Sequence, residues 1–334
     1  MAQLSSFKAV HYRCIDGLFL PHLSKLNLIT GINGVGKTAL IEAMWLFAGR
    51  YNPSLLFNVN VQRTLSPHFN PISRLTDGEL ELHGVEDDGN PHTAKFHYEK
   101  IDDTFSTKMF TSELQEATKK MPPVQGIIHT YLDGERHESQ GQQTGRASCI
   151  IEATKFLDEM SDEYIQRYSA LVRKGRKKEL VKAMKVIAEN IEDMEILATE
   201  SKSLYLSVVI KDGKPQPLHD LGGGAVKLVR LLLDFSASQD GILLSDELEN
   251  GFHYTVQREI WNKARQWTNQ WNVQFVATTH SGEFIDAAID TFADDADNLS
   301  IHKLFRDEKS GRTKVTTFTG ETLLGARDLN LEVR

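Results

Sequence analysis

The segment Gly31-Ile32-Asn33-Gly34-Val35-Gly36-Lys37-Thr38 constrains the fold of this chain more than any other. A compact apolar run, Leu26-Asn27-Leu28-Ile29-Thr30, leads into it. Apolar residues at helical spacing, Ala39, Leu40, Ala43, Met44 and Phe47, follow it, with Gly49 near the end of the pattern. Strand, glycine-rich turn and helix form a unit with a physical use. The glycines let the backbone curl until successive N–H groups point inward, and the helix adds its positive end. Such a nest holds a phosphate. Lys37 supplies a point charge for the β and γ phosphates of a nucleotide, and the Thr38 hydroxyl suits Mg²⁺. Asn33, Gly34, Val35, Gly36, Lys37, Thr38 and Ala39 are therefore the expected nucleotide-binding residues. Ordinary residue frequencies would give this G-x-x-x-x-G-K-[ST] pattern in roughly one chain in a hundred of similar length.

Two later apolar runs fit the same sheet. Gly241-Ile242-Leu243-Leu244-Ser245-Asp246-Glu247 is a buried-type strand that ends in two carboxylates. In a parallel α/β sheet that end lies beside the phosphate loop. Asp246 is then placed for the metal, with Thr38, and Glu247 for orienting and deprotonating an attacking water. Val273-Gln274-Phe275-Val276-Ala277-Thr278-Thr279-His280-Ser281 is the second run, and it ends in a histidine able to bond the γ-phosphate or the water. Leu221-Gly222-Gly223-Gly224-Ala225 precedes an apolar helix, Val226 to Phe235, and a glycine turn at a helix start is a further anion site.

Composition sets the boundaries. In 334 residues, 38 Lys+Arg stand against 46 Asp+Glu, a net charge of −8, with 40% hydrophobic and 25% charged residues. These are globular proportions, which exclude a disordered, collagen-like or coiled-coil chain. No apolar stretch approaches the roughly 18 residues of a membrane span. The N-terminus lacks the basic start and apolar run of a secretory signal. Cys14 and Cys149 are isolated and expected to be reduced thiols, which fits a cytoplasmic location.

The chain divides into three expected regions: 1–110, an N-terminal lobe with the phosphate loop; 111–200, a helical insertion; and 201–334, a C-terminal lobe with the glycine turn, acidic strand and histidine. Ser6–Cys14 reads as a strand turning at Asp16-Gly17. Residues 79–100 read as a hairpin that turns at Asp87-Asp88-Gly89-Asn90. Residues 150–200 read as helical. Leu204–Ile210 reads as a strand with its turn at Asp212-Gly213, and Ile301–Arg306 with Lys314–Thr319 as a closing hairpin. Asp294-Asp295-Ala296-Asp297 reads as an exposed acidic loop.

Taken together, these residues resemble the ABC-type ATPase heads of the SMC, RecF and OLD group. Within it they are most similar to stand-alone AAA-type ATPases of bacterial anti-phage defence. The resemblance runs through most of the chain in order: Gly31–Thr38 as Walker A, Leu221–Ala225 as signature, Asp246-Glu247 as Walker B, Glu249–His253 as D-loop region and His280 as switch histidine. It implies a P-loop NTPase head of α/β class, with a mixed N-terminal β-sheet, a parallel core sheet and a short helical insertion. It also implies ATP and Mg²⁺ as ligands, with Thr38, Asp246 and a glutamine-loop residue at the metal; Gln62, in Asn60-Val61-Gln62-Arg63, is the candidate for the last. Lys37, Glu247 and His280 take the catalytic roles. In such families two heads sandwich ATP, so a homodimer or higher homo-oligomer is implied, with Gly222, Gly223 and Gly224 meeting the partner head's nucleotide. A separate effector, a nuclease or toxin, is the implied target of control. Gly222 stands where the family has serine, which implies slow turnover.

Other readings stay open at this level. One is a largely non-hydrolysing, ATP-bound scaffold that restrains an effector. Another is a DNA-repair ATPase, since Arg173-Lys174-Gly175-Arg176-Lys177-Lys178, with Lys182 and Lys185, is a positive cluster in an acidic chain. That cluster reads equally as a solvated helix face.

Overall fold

In a computed structural model, the structure describes residues 3–50, 78–87, 89–102, 107–116, 119–120, 124–131, 134–138, 149–152, 162–211, 213–320, 322–323 and 325; for 97–152 only the backbone of the strands is described. The order is β1 (Leu4–Tyr12), β2 (Ile15–Leu20), β3 (Leu26–Thr30), α1 (Lys37–Ala48), β4 (Gly78–Glu86), β5 (Pro91–Asp102), β6 (Thr107–Glu116), β7 (Lys119–Lys120), β8 (Val124–Tyr131), β9 (Gly134–Glu138) and β10 (Cys149–Glu152). Then come α2 (Asp162–Arg173), α3 (Lys177–Met184), β11 (Ile191–Ala198), β12 (Leu204–Ile210), β13 (Gln216–Pro217), α4 (Gly223–Ala237), β14 (Ile242–Ser245), α5 (Gln257–Gln270), β15 (Gln274–Thr278), α6 (Gly282–Thr291), β16 (Leu299–Arg306) and β17 (Thr313–Thr319).

The core sheet runs β10-β14-β15-β3-β16-β17 and is parallel except for its last pair. Every residue of β3, β14 and β15 is buried. That requires apolar side chains on both faces, which is why these strands read as unbroken apolar runs. Their side chains alternate between two cores. Leu26, Leu28, Leu243, Phe275 and Ala277 pack with α4, α5 and α6. Ile29, Ile242, Leu244 and Val276 pack with α1 and the first strands. A second, antiparallel sheet, β2-β1-β4-β5-β6-β8-β9 with β7 beside β6, covers α1. The Gln274 side chain pins its first strand to the core sheet: it accepts from Leu4 N at 2.8 Å and donates to Leu4 O at 2.8 Å and Ser24 O at 3.0 Å.

Three sequence expectations need correction. The first hairpin turns at Arg13-Cys14, not at Asp16-Gly17. Tyr12 pairs with Ile15, and Arg13 takes a positive φ of 53°, leaving a two-residue loop. Asp16 sits inside β2 and pairs with Arg312 at 2.8 Å. Among the described residues of 111–200, helix is confined to α2 and α3. Residues 107–116, 124–131 and 134–138 extend the antiparallel sheet, and 149–152 add an edge strand to the core sheet. Residues 191–198, Ile-Glu-Asp-Met-Glu-Ile-Leu-Ala, lack glycine and contain good helix formers, yet they form β11. Pairing with β12 along seven positions outweighs local propensity, and Met194 is buried at its centre.

His302 lies on β16 of the core sheet, between β3 and β17, and is fully buried. Its Nε2 is 3.3 Å from Asn27 Oδ1 and its Nδ1 3.0 Å from Thr317 Oγ1. Burial pushes its imidazole down from 6.5 to about 3, with His22 adding to the effect. The folded chain therefore keeps this ring neutral, while the unfolded chain protonates it below 6.5. Its stabilising contribution is complete above 6.5 and falls toward pH 3, by about 1.4 kcal/mol per unit. Denaturant unfolding at a series of pH values is expected to show wild type losing its margin over His302→Gln between pH 6 and 4. A constant margin would remove this account.

Candidate nucleotide site

Because β14, β15 and β3 are adjacent and parallel, their carboxyl ends open onto one crevice. At the end of β3 the backbone turns with positive φ at Gly31, Gly34 and Gly36, of 139°, 75° and 110°. Gly31 is required by space as well as by φ: a Cβ there would lie 2.4 Å from Leu304 O. α1 starts without a side-chain cap, leaving the first N–H groups of Lys37, Thr38 and Ala39 free for an anion.

Lys37 is folded back onto this loop. Its Nζ donates to Gly31 O at 2.7 Å and to Ile32 O at 3.1 Å, and lies 3.1 Å from His280 Nδ1. Burial holds its pKa below the ordinary lysine value, although the carboxylates of Asp246, Glu247 and Glu249 pull in the opposite direction. An ammonium only donates, so His280 Nδ1 accepts, and the neutral ring carries its proton on Nε2. That nitrogen faces Glu247 Oε1 at 3.6 Å, just beyond a hydrogen bond.

At the end of β14, Thr38 Oγ1 donates to Asp246 Oδ2 at 2.8 Å. Two hard oxygen donors, a hydroxyl and a carboxylate, are thus paired at the mouth of the phosphate loop. This donor set fits Mg²⁺, which keeps several waters and takes few protein ligands. Among the described residues no group of three or more His, Cys, Asp or Glu is arranged to hold a metal. Gln62 lies outside the described residues.

Glu247 is a non-glycine residue with φ of 51°. Its amide donates to Thr278 Oγ1 at 2.8 Å, and that same hydroxyl donates to Asp246 Oδ1. Its carboxylate accepts from Asn250 Nδ2 at 2.6 Å. Glu249 Oε1 accepts from the His280 amide at 2.6 Å. The structure therefore brings together Lys37, Thr38, Asp246, Glu247 and His280. The sequence places Glu249 and Asn250 only within the D-loop region, without a role for either side chain, and assigns no role to Thr278. A threonine at the end of an apolar strand, two residues before the histidine, was the available signal for Thr278.

Gly222 has φ of 91° and opens α4, and neither Gly222 nor Gly223 has an atom within 4 Å of where a Cβ would stand. Gly224 is closely packed: a Cβ would meet Gly251 O at 2.7 Å. Of the basic run, Arg176 pairs with Glu179 at 2.9 Å and lies over the Trp271 ring, and Lys177 pairs with Asp193 at 2.7 Å. Arg173, Lys174 and Lys178 project from the end of α2 and the start of α3 as exposed or part-exposed residues. Asp294 and Asp295 are held by Arg265, at 2.8 and 3.2 Å.

Fold and site together define an ATPase whose core is a phosphate-loop α/β head. Residues 126–285 match the AAA ATPase domain family AAA_15. The chain is similar to an ATP/GTP phosphatase of Helicobacter pylori, 23% identical over 365 aligned positions covering 96% of this chain and 95% of that protein. It is also similar to the DNA replication and repair protein RecF of Hydrogenovibrio crunogenus, 35% identical over 85 residues, 25% of this chain and 20% of RecF. Among solved structures, an Smc head bound to the C-winged helix domain of ScpA matches with a TM-score of 0.54 at 12% identity, over 96% of this chain and 99% of that one. An Smc head with an extended coiled coil bound to the C-terminal domain of ScpA, derived from Pyrococcus furiosus, gives 0.52 at 12% identity, over 99% and 100%. The fold is that of an SMC head. No helix among the described residues is long and apolar enough to cross a membrane.

Thr278→Val keeps the shape and removes both hydroxyl bonds. It is expected to leave the Glu247 amide unpaired, to lower stability by about 1–3 kcal/mol, and to slow phosphate release from ATP. Denaturant unfolding and a phosphate-release assay check this. A variant with wild-type values in both would show that Thr278 does not organise the site.

Proposed function

We propose that this ATPase pairs with a second copy around Mg²⁺-ATP and, by opening and closing, controls a separate effector protein, a nuclease or toxin, in anti-phage defence. The observation that carries the reading is the meeting of Lys37, Thr38, Asp246, Glu247 and His280 at three adjacent strand ends. ATP binding moves Lys37 from the Gly31 and Ile32 carbonyls to the phosphates, with the free N–H groups of α1 on the same oxygens. Thr38 and Asp246 would hold Mg²⁺, which would supply charge neutralisation for the transferred phosphoryl group. Glu247 takes a proton from a water whose oxygen bonds to the γ-phosphorus. The bond to the bridging oxygen breaks, and ADP leaves with its electrons. The Nε2–H of His280 faces that exchange.

Pairing is supported by the turn at Gly222 and Gly223. It is an open helix start with nothing packed on it, a form that suits a γ-phosphate presented by another head. The effector role is supported by the structural relatives, Smc heads bound to domains of ScpA. A second reading, contact with nucleic acid, rests on an open groove of about 480 Å³ lined by Lys177, Lys178, Val181, Lys182 and Lys185 together with Glu192 and Asp193, so that cations outnumber carboxylates on its wall. DNA-stimulated hydrolysis that is lost on neutralising Lys178, Lys182 and Lys185 would select it.

Mass photometry with ATP tests the principal reading. Glu247→Gln is expected to accumulate an ATP-dependent dimer or larger assembly and to lose hydrolysis, whereas Lys37→Ala stays unassembled and fails to bind a fluorescent nucleotide. A Glu247→Gln variant that hydrolyses ATP like wild type would refute the role given to this residue. Assemblies that retain ATP in the wild type without turnover would favour the scaffold.

A further inference from the structure

We propose that Lys227, on the helix that follows the glycine turn, is a positioning residue that holds Glu247 in its working turn, so that the two motifs of one head act as a unit. The proposal rests on the reading of Glu247 as the group that takes the proton from water.

Lys227 lies one turn into α4 and is fully buried. Its Nζ donates to the main-chain oxygen of Glu247 at 3.1 Å, and its head sits 5.6 Å from the centre of the Phe252 ring. A buried ammonium is costly unless it is hydrogen-bonded, so a lysine here needs a reason that packing alone does not give. A methionine would fill the same volume.

The reason is the conformation of Glu247. A branched-chain or long side chain rarely adopts a positive φ, and this residue has 51° with no glycine to ease it. Such a conformation persists only where the surroundings over-determine it. Here the amide is held by Thr278, and the carbonyl is held twice, by the Asn250 amide at 3.1 Å and by Lys227. Lys227 also runs along the inside of the turn: a Cβ on Gly251 would touch its Cδ at 3.8 Å. One turn earlier, Gly224 meets Gly251 O so closely that no side chain fits. The start of α4 and the turn carrying Glu247 are thus in contact through Gly224 and Lys227, three residues apart on the helix. An anion captured at Gly222 and Gly223 bears on α4, and Lys227 carries that load to the carbonyl of Glu247. Occupancy of the glycine turn and the aim of the carboxylate are thereby joined inside one chain.

The test is a double-mutant cycle read by single-turnover ATP hydrolysis and by affinity for a fluorescent ATP analogue. Lys227→Met is expected to lower the hydrolysis rate about ten-fold or more and to leave nucleotide affinity within about two-fold. In a Glu247→Asp background, which keeps a carboxylate base on a shorter side chain and a measurable rate, the same substitution should cost at most about two-fold more, because its effect passes through Glu247. Lys227→Arg, which keeps a cation, should regain part of the rate. Should Lys227→Met not fold, Lys227→Gln, which shortens the reach but keeps a donor, replaces it in the cycle with the same expectation. Wild-type hydrolysis by the Met variant overturns the proposal, and so does an equal loss in both backgrounds. A dead Glu247→Gln beside a fully active Lys227→Met removes only this proposal. A fully active Glu247→Gln removes the reading beneath it, and this proposal with it.

Discussion

The parallel ladder of β14, β15 and β3 is the constraint on which the remaining structure depends. Register fixes Ser245 beside Ala277 and Thr278 beside Ile29, so the residues just past each strand must share one rim. Burial on both faces makes that register hard to shift: slipping by one residue would exchange the sets that face the two cores. The chemistry of the site thus inherits its precision from apolar packing. Thr38 reaches Asp246 and Thr278 reaches both Asp246 and the Glu247 amide because the strands leave no other arrangement.

Most polar groups that face the crevice are paired within the protein, while Ser245 Oγ and Glu249 Oε2 are buried there without a partner. Lys37 bonds carbonyls of its own loop, Thr38 bonds Asp246, and Asn250 bonds the Glu247 carboxylate. Each of these groups finds in the protein a partner that a nucleotide, its metal or a water can replace. Binding then exchanges hydrogen bonds of similar kind rather than desolvating bare charges, which keeps its cost low. Glu247 differs in being held mainly through its backbone. Its side chain can change partners while φ stays fixed.

Much of this was legible in the sequence where the chemistry is local. The phosphate loop declares itself because glycine, lysine and threonine must lie within eight residues of each other to wrap one phosphate. Asp246, Glu247 and His280 were readable because buried parallel strands are apolar throughout, so a polar residue at the tip is conspicuous. What stayed hidden acts across the fold. Lys227 meets Glu247 from 20 residues away, Thr278 meets Asp246 from 32, and no spacing rule connects them. β11 was missed because its residues carry no strand signal of their own, and pairing with β12 decides their state. The basic run read as one positive patch, but stacking on Trp271 and the carboxylates of Glu179 and Asp193 engage part of it.

A crystal structure with Mg²⁺ and a non-hydrolysable ATP analogue tests the central claim most directly. The account predicts that Lys37 leaves Gly31 O and Ile32 O for the β and γ phosphates, with Thr38 and Asp246 at the metal and the γ-phosphate between His280 and Glu247. A nucleotide bound elsewhere, or bound with Lys37 still on its loop carbonyls, would contradict it.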